Sequence, residues 1–339
     1  MKKTAVVILN YNGRKFLERF LPNVIKNSSG VADVIVADNA STDDSVEFMR
    51  KNFPDIRLII NDSNGGFSTG YNIALRQIEA DYYCLLNSDI EVTPHWIEPI
   101  IELMDSDESI AACQPKLLSY SDRDKFEYAG AGGGYIDKYG YPFCRGRVFQ
   151  ELEKDNGQYD DVKEVFWATG ACMFVRAELF HRFGGLDDSF FAHMEEIDFC
   201  WRMKNNGYKI MYCPGSKVYH IGGGTLPKSS ARKTYLNFRN NLSLLIKNLP
   251  DYKTFPIITY RIGLDWIAGL KFLAGGSFAD LWAVTRAHLS FYRQLPILIK
   301  KRKALKHTKV SQVYQKNIVF KHYLEHKKVF TKLEEKDFS

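Results

Sequence analysis

The run LLNSDIEV, residues 85–92, carries an apolar stretch onto Asn87-Ser88-Asp89 and so sets one carboxylate beside one amide where a strand ends. A surface loop explains that pattern, and so does a metal site at a strand's carboxyl end. A hard divalent cation such as Mg2+ or Mn2+ takes oxygen ligands, commonly one or two carboxylates completed by substrate phosphates and water. Further along, Glu195, Glu196 and Asp198 lie between the apolar flanks FFAHM and FCW. A charged run at a helix start is ordinarily a solvated, dipole-favoured face. Crowded acids against a buried wall instead raise one pKa toward the value a general base needs. His220 follows the strand-like KVY and precedes three glycines.

These groups need elements to hold them. TAVVILN (4–10), DVIVADN (33–39), IRLIIN (56–61) and DYYCLLN (81–87) are short apolar runs rich in β-branched residues, and helical patterns cover 14–27, 44–53 and 68–78. Strands alternating with helices predict βαβ units and a parallel sheet, whose ligands bind at the strands' carboxyl ends. Asn10, Asp38, Asn39 and Asn87 fall at such ends. Asp38 can accept hydrogen bonds from a ribose or base edge or cap the next helix, a role that suits Asp43 better. Asn64-Gly65-Gly66-Phe67 precedes a helix whose first amides could face a phosphate, or it is a glycine turn. The Gly- and Tyr-rich stretch 128–147 predicts irregular hairpins. YKIMYCP and KVYH read as strands, and from Arg232 the pattern is helical to the end.

At 339 residues the chain fits one large or two modest domains, and its 45% hydrophobic content sustains a sizeable core. The six cysteines lack CxxC spacing, which argues against zinc or a disulfide framework and for buried thiols in a reducing, cytoplasmic setting. The apolar start is too short and polar for a signal peptide, and no stretch reaches the roughly 18 apolar residues of a membrane span. Charge is uneven: residues 246–312 hold 12 Lys/Arg against 3 Asp and no Glu, while the whole chain is only +6. A basic, aromatic third on a slightly acidic body suggests two jobs.

Eight segments in order resemble family 2 glycosyltransferases, inverting enzymes of the GT-A fold, and most nearly their bacterial rhamnosyltransferase branch. They are VVILNYNG (6–13), VIVADNASTDDS (34–45), NGGFSTGYNIAL (64–75), LLNSDIEV (85–92), ATGACMFVRAELF (168–180), GGLDDSFFAHMEEIDFCWR (184–202), VYHIGGG (218–224) and NFRNNL (237–242). Two departures stand out: Asn87-Ser88-Asp89 replaces the Asp-x-Asp of many relatives, and Glu195-Glu196 stands where Glu-Asp is usual. The resemblance implies an α/β GT-A domain over 1–235, with a nucleotide half to about 110, and a basic helical region over 236–339. It implies that Asn10, Asp38, Asn39, Gly66, Asn72 and Asn87 lie near the nucleotide-sugar, and that Asp89 and His220 contact a divalent cation or the diphosphate. It assigns the base to Glu196, with Glu195 and Asp198 binding acceptor hydroxyls or holding Arg202. Gly222 to Gly224 would let a loop close over the donor. Arg239 is a candidate diphosphate clamp, since a guanidinium grips two oxygens, or it pairs with an acid.

The expected reaction moves a sugar, rhamnose from dTDP-rhamnose being the first expectation, from a dTDP- or UDP-linked donor. Its acceptor would be a saccharide or a polyprenyl-diphosphate-linked one in surface polysaccharide synthesis. Transfer of another hexose or N-acetylhexosamine is the alternative within the class, and a non-catalytic membrane-bound sugar-nucleotide binder the alternative outside it. A nucleotidyltransferase would want a Gly-rich basic loop that NYNGRKF does not offer. The tail mixes Trp, Phe and Leu with Lys and Arg, so it is expected to lie on an anionic membrane surface, or to pack on the catalytic domain. Nucleic acid has no accompanying recognition motif.

Overall fold

The computed structural model describes residues 3–222 and 230–339. The four N-terminal strands form where the β-branched runs predict them: β1 (Thr4–Asn10), β2 (Asp33–Asp38), β3 (Arg57–Ile60) and β4 (Tyr82–Asn87). They pair in parallel in the order β3-β2-β1-β4. Between them run α1 (Arg14–Ser28), α2 (Ser45–Asn52) and α3 (Gly66–Leu75). Leu17, Phe20, Leu21 and Val24 recur at helical spacing and bury one face of α1. Asp43 stands where two helices begin, accepting from the amides of Ser45 (3.1 Å) and Arg14 (3.3 Å).

The sheet continues through β5 (Ile90–Val92), β6 (Ile110–Ser119), β11 (Lys163–Val165), β12 (Cys172–Arg176) and β13 (Lys209–His220), in the order β11-β13-β6-β12-β4 with β5 on β13. Here β12 runs antiparallel to β4 and β6, so the sheet is mixed. The two strands expected over 208–220 are the single strand β13, whose register shifts between Cys213 and Lys217. Pro214 and Gly215 in that interval account for the bulge, since proline cannot donate to a ladder. Side chains alternate across the sheet. Val6, Ile8 and Val36 join Trp96 in one core, and Ala5, Val7 and Ala37 join Tyr71 and Leu75 in the other. All six cysteines are buried free thiols.

The Gly/Tyr stretch forms the antiparallel strands β7 (Gly134–Asp137), β8 (Pro142–Cys144) and β9 (Arg147–Val148) of a second sheet, which β10 (Glu151–Leu152) extends. Helix α4 (Glu98–Ser106) packs in the core on one face of the large sheet, while α5 (Ala177–Arg182) and α6 (Glu195–Asn205) share the other core with the second sheet. Helices α7 (Ala231–Asn248), α8 (Asp251–Ala274) and α9 (Phe278–Lys303) follow and pack on one another. Helix does not run to the end as the pattern predicts. Residues 313–314 form β14, parallel to β7, and Phe330 and Phe338 stack against Tyr135 and Phe143. Aromatic burial on the small sheet decides this segment, not helical periodicity. No described helix is long and apolar enough to cross a membrane.

Candidate active site

The parallel register lines up the strand ends: Asn10 lies beside Asp38, and Leu9 beside Asn87. Asp38 is buried and held by its neighbours. Asn10 Nδ2 donates to its Oδ2 (2.9 Å) and the Ser41 amide to its Oδ1 (2.8 Å). Asn39 Nδ2 donates to Asn64 Oδ1 (2.9 Å) and to the Gly66 carbonyl (3.1 Å), while Asn61 Nδ2 donates to Asn39 Oδ1 (3.1 Å). Among the described residues the buried oxygens Asn10 Oδ1 and Asn61 Oδ1 find no partner. Buried acceptors are rarely left so, and these two lie on the edge where a ligand would bind.

The amides at the start of α3 do not open toward a ligand. Asn64 Oδ1 takes the Gly66 N–H (2.9 Å), and the Phe191 carbonyl takes that of Phe67 (2.7 Å). Gly66 has φ +85°, and a Cβ there would stand 2.4 Å from the Phe191 oxygen, so close backbone approach demands the glycine. Asn72 is likewise spent inside the protein, donating to Leu186 O (2.7 Å) and Asp188 Oδ1 (2.8 Å) and accepting from the Leu186 amide (3.0 Å). It braces a loop rather than reaching a nucleotide. Arg239 resembles it: Nη2 donates to the carbonyls of Ser189 (3.0 Å) and Phe190 (2.9 Å), and Nε to Asn240 Oδ1 (2.8 Å). Among the described residues no acid meets Nε or Nη2 of this guanidinium, whose contacts go to the 189–190 backbone and Asn240.

Past β4, Asp89 and His220 come together, the first on the turn after the strand and the second at the end of β13. Their Oδ1 and Nε2 atoms are 3.1 Å apart, with Asn87 Nδ2 3.4 Å from the same nitrogen. Glu127 enters from the other side, its Oε2 3.1 Å from His220 Nδ1 as an ion pair without hydrogen-bond alignment. Burial opposes charge on His220, yet Glu127 and Asp89 outweigh it and raise its pKa to about 10. Burial would raise Asp89 too, but the imidazolium holds it below its usual value. Sequence reasoning missed Glu127, which lies on a connection with no motif and faces His220 only through the fold. Among the described residues no group of three or more His, Cys, Asp or Glu side chains is arranged to hold a metal ion. Gly223 and Gly224, expected in a closing loop, lie outside the described residues.

The three acids at the start of α6 separate sharply. Asp198 is fully buried and committed: Arg202 Nε (2.9 Å), Lys247 Nζ (2.8 Å) and Asn248 Nδ2 (2.8 Å) all reach it. Burial pushes its carboxyl up, but Lys247 and Arg202 hold it below the usual carboxylate value. Glu195 is 5% exposed, and burial, then the charge of Glu196, raises its pKa well above normal. Glu196 is partly exposed, and burial raises it to about 7 against the pull of backbone amides at the helix start. A Cβ on Gly170 would lie 3.1 Å from Phe67 and 3.7 Å from Glu196 Cβ, and the next residue, Ala171, accepts from the Asn87 amide (2.9 Å). The chain from Gly170 to Ala171 thus joins the Glu196 wall to the end of β4.

The fold is GT-A. A solved structure of GalNAc-T7 with UDP, GalNAc and Mn2+ is similar at TM-score 0.57 and 17% identity, covering 75% of this chain and 49% of that one. This chain therefore spans about half the length of that protein. The family model described as glycosyl transferase family 2 matches residues 5–184, just over half the chain, and the chain belongs to that family. Among its relatives, an N-acetylglucosaminyl-diphospho-decaprenol L-rhamnosyltransferase of Mycobacterium tuberculosis is 25% identical over 233 residues, 63% of this chain and 75% of that protein. The low-salt glycan biosynthesis hexosyltransferase Agl10 of Haloferax volcanii is 26% identical over 244 residues, 70% of this chain and 73% of that protein.

Proposed function

We propose that the protein is an inverting, divalent-cation-dependent glycosyltransferase that moves rhamnose from dTDP-rhamnose to a polyprenyl-diphosphate-linked saccharide at an anionic membrane surface. The observation that carries the reading is Glu196, partly buried with its Oε2 left without a partner and its pKa raised to about 7, across the Gly170–Ala171 segment from Asn87. A carboxyl poised there takes the proton of an acceptor hydroxyl as it attacks, and one displacement inverts the sugar. Asp198 anchors the helix instead of binding acceptor. The orphan oxygens of Asn10 and Asn61 offer acceptors to a base or ribose along the edge that Asp38 and Asn39 order.

The donor set fits Mg2+ or Mn2+ completed by substrate. Asp89 would supply an oxygen, and His220 a nitrogen only after losing the ring proton that Asp89 and Glu127 favour; such ions retain waters and phosphate oxygens rather than demand a full protein cage. Asn87 adds an uncharged amide, so the site bears less negative charge than an Asp-x-Asp pair. When bound, the cation neutralises charge on the leaving diphosphate. Glu127 orients the His220 ring through Nδ1, leaving Nε2 toward Asp89. Support for rhamnose and for the lipid-linked acceptor comes from the activity by which the mycobacterial relative is named; the archaeal hexosyltransferase supports a hexose as the second reading.

Turnover of a nucleotide-sugar panel with and without Mn2+ tests both readings. Asp89→Ala is expected to abolish transfer and the cation dependence of donor binding, whereas Asn87→Asp is tolerated and tightens cation binding in the absence of donor. Equal activity of Asp89→Ala and the parent protein would sink the cation site. Preference for a hexose donor over dTDP-rhamnose would replace the first reading with the second.

A further inference from the structure

The backbone leading into Glu195 and Glu196 is unusual. Phe191 (φ 65°), His193 (φ 70°) and Met194 (φ 74°) are all left-handed, a conformation that costs energy in non-glycine residues and persists only when the surroundings impose it. The means of imposing it come from α7. Asn240 is buried, and its Nδ2 donates to the carbonyls of Phe190 (3.0 Å), Ala192 (2.9 Å) and His193 (2.8 Å). Arg239 beside it holds Ser189 O and Phe190 O, and Lys247 and Lys301 grip Asp187. From the opposite side the Phe67 amide takes the Phe191 carbonyl. Phe67 holds Phe191 alone, whereas the Asn240 contacts fall on both sides of Phe191 and on His193.

We propose that Asn240 is a positioning residue for Glu196, its amide fixing the 191–194 backbone and hence where helix α6 and the Glu196 carboxylate begin. This rests on the reading of Glu196 as the base. The geometry explains why the N-terminal turn of α6 starts without a side-chain cap, from a left-handed Met194. The loop is set by donors from α7 before the helix begins.

The test compares Asn240→Ala, Glu196→Gln and the double variant in the full chain, with donor binding followed by calorimetry. Asn240→Ala is expected to bind donor with unchanged stoichiometry and affinity while kcat falls roughly 10–100-fold, the scale of a misplacement near 1 Å. Adding Asn240→Ala to Glu196→Gln should cost nothing further, because residues acting through one group are non-additive. Asn240→Ser, which is smaller but polar, provides the same reading if the alanine variant does not fold. A kcat within twofold of the parent, or an equal loss in both backgrounds, overturns the proposal. A slow Glu196→Gln with a full-rate Asn240→Ala removes the clamp alone, whereas a full-rate Glu196→Gln removes the base assignment and the clamp's role with it.

Discussion

Three carboxyl groups within one helical turn share a sequence context and end with three chemical characters. Asp198 meets two cations and an amide, Glu195 is buried beside two other acids, and Glu196 is only partly exposed with one carboxyl oxygen buried and unpartnered. Their variants should diverge accordingly. Glu196 must be deprotonated to act, and its pKa is raised, so turnover should climb as pH rises through about 7. In Glu196→Gln that dependence should vanish, with turnover lower by roughly 10²–10⁴-fold. Linkage runs the other way: a carboxyl raised by folding destabilises the protein once ionised, so Glu196→Gln should be no less stable than the parent above pH 7. Asp198→Asn takes the buried carboxylate from Arg202 and leaves Lys247 only Asp187, and should cost up to about 3–5 kcal/mol by denaturant unfolding. An Asp198→Asn protein as stable as the parent would contradict the anchoring role.

At the scale of elements, the contact between α3 and the 186–194 loop does the positioning. Thr69 and Asn72 hold Asp188, the Phe67 amide holds the Phe191 carbonyl, and Gly66 lets the two backbones meet. Gly66→Ala adds a Cβ where φ is +85° and the nearest atom is a backbone oxygen at 2.4 Å, so neither partner yields cheaply. The expected cost is about 1–3 kcal/mol of stability by urea unfolding, together with a loss of turnover larger than that loss of stability explains. A fully stable, fully active Gly66→Ala would show that the loop tolerates displacement.

The whole molecule presents an inverted helix to solvent. Along α8 the buried positions are Ile257, Arg261, Asp265 and Gly269, and Arg261 and Asp265 pair there at 3.0 Å with His288 of α9 3.2 Å away. The outward positions carry Phe255 (80% exposed), Trp266, Ile267, Leu270 and Leu273, continued on α9 by Phe278 (66% exposed) and Trp282. Polar inside and apolar outside suits a bilayer interface. The basic cluster is thinner than its sequence reads, since Lys301 is committed to Asp187 and Arg302 to Asp251, while Lys300 and Lys303 are exposed. Co-sedimentation with anionic vesicles should therefore drop in Phe278→Ser/Trp282→Ser. It should become less salt-sensitive in Lys300→Gln/Lys303→Gln, each lysine contributing about 1 kcal/mol. No binding at low salt would return α8 and α9 to a purely structural role.

What the residues determined by themselves was the strand–helix alternation of the first 90 positions, the family, and the short list around Asp38, Asp89, Glu196 and His220. Those features are local or ordered along the chain: β-branched runs, helical spacing and motifs in sequence. Only the tertiary structure separated ligand-facing groups from braces. Asn72 and Arg239 carry the right chemistry for a nucleotide or a diphosphate, yet both are spent on backbone carbonyls or loop atoms. Glu127, unmarked by any motif, and Asn240, inside NFRNNL but given no role there, stand against His220 and the Glu196 loop. The terminal segment after Lys303 breaks into a short strand, a short helix (Ile318–Tyr323) and 3-10 turns because the small sheet offers its aromatic residues a partner. Hydrogen-bond partners distant in sequence decide whether a polar side chain is free, and periodicity records only the face on which it begins.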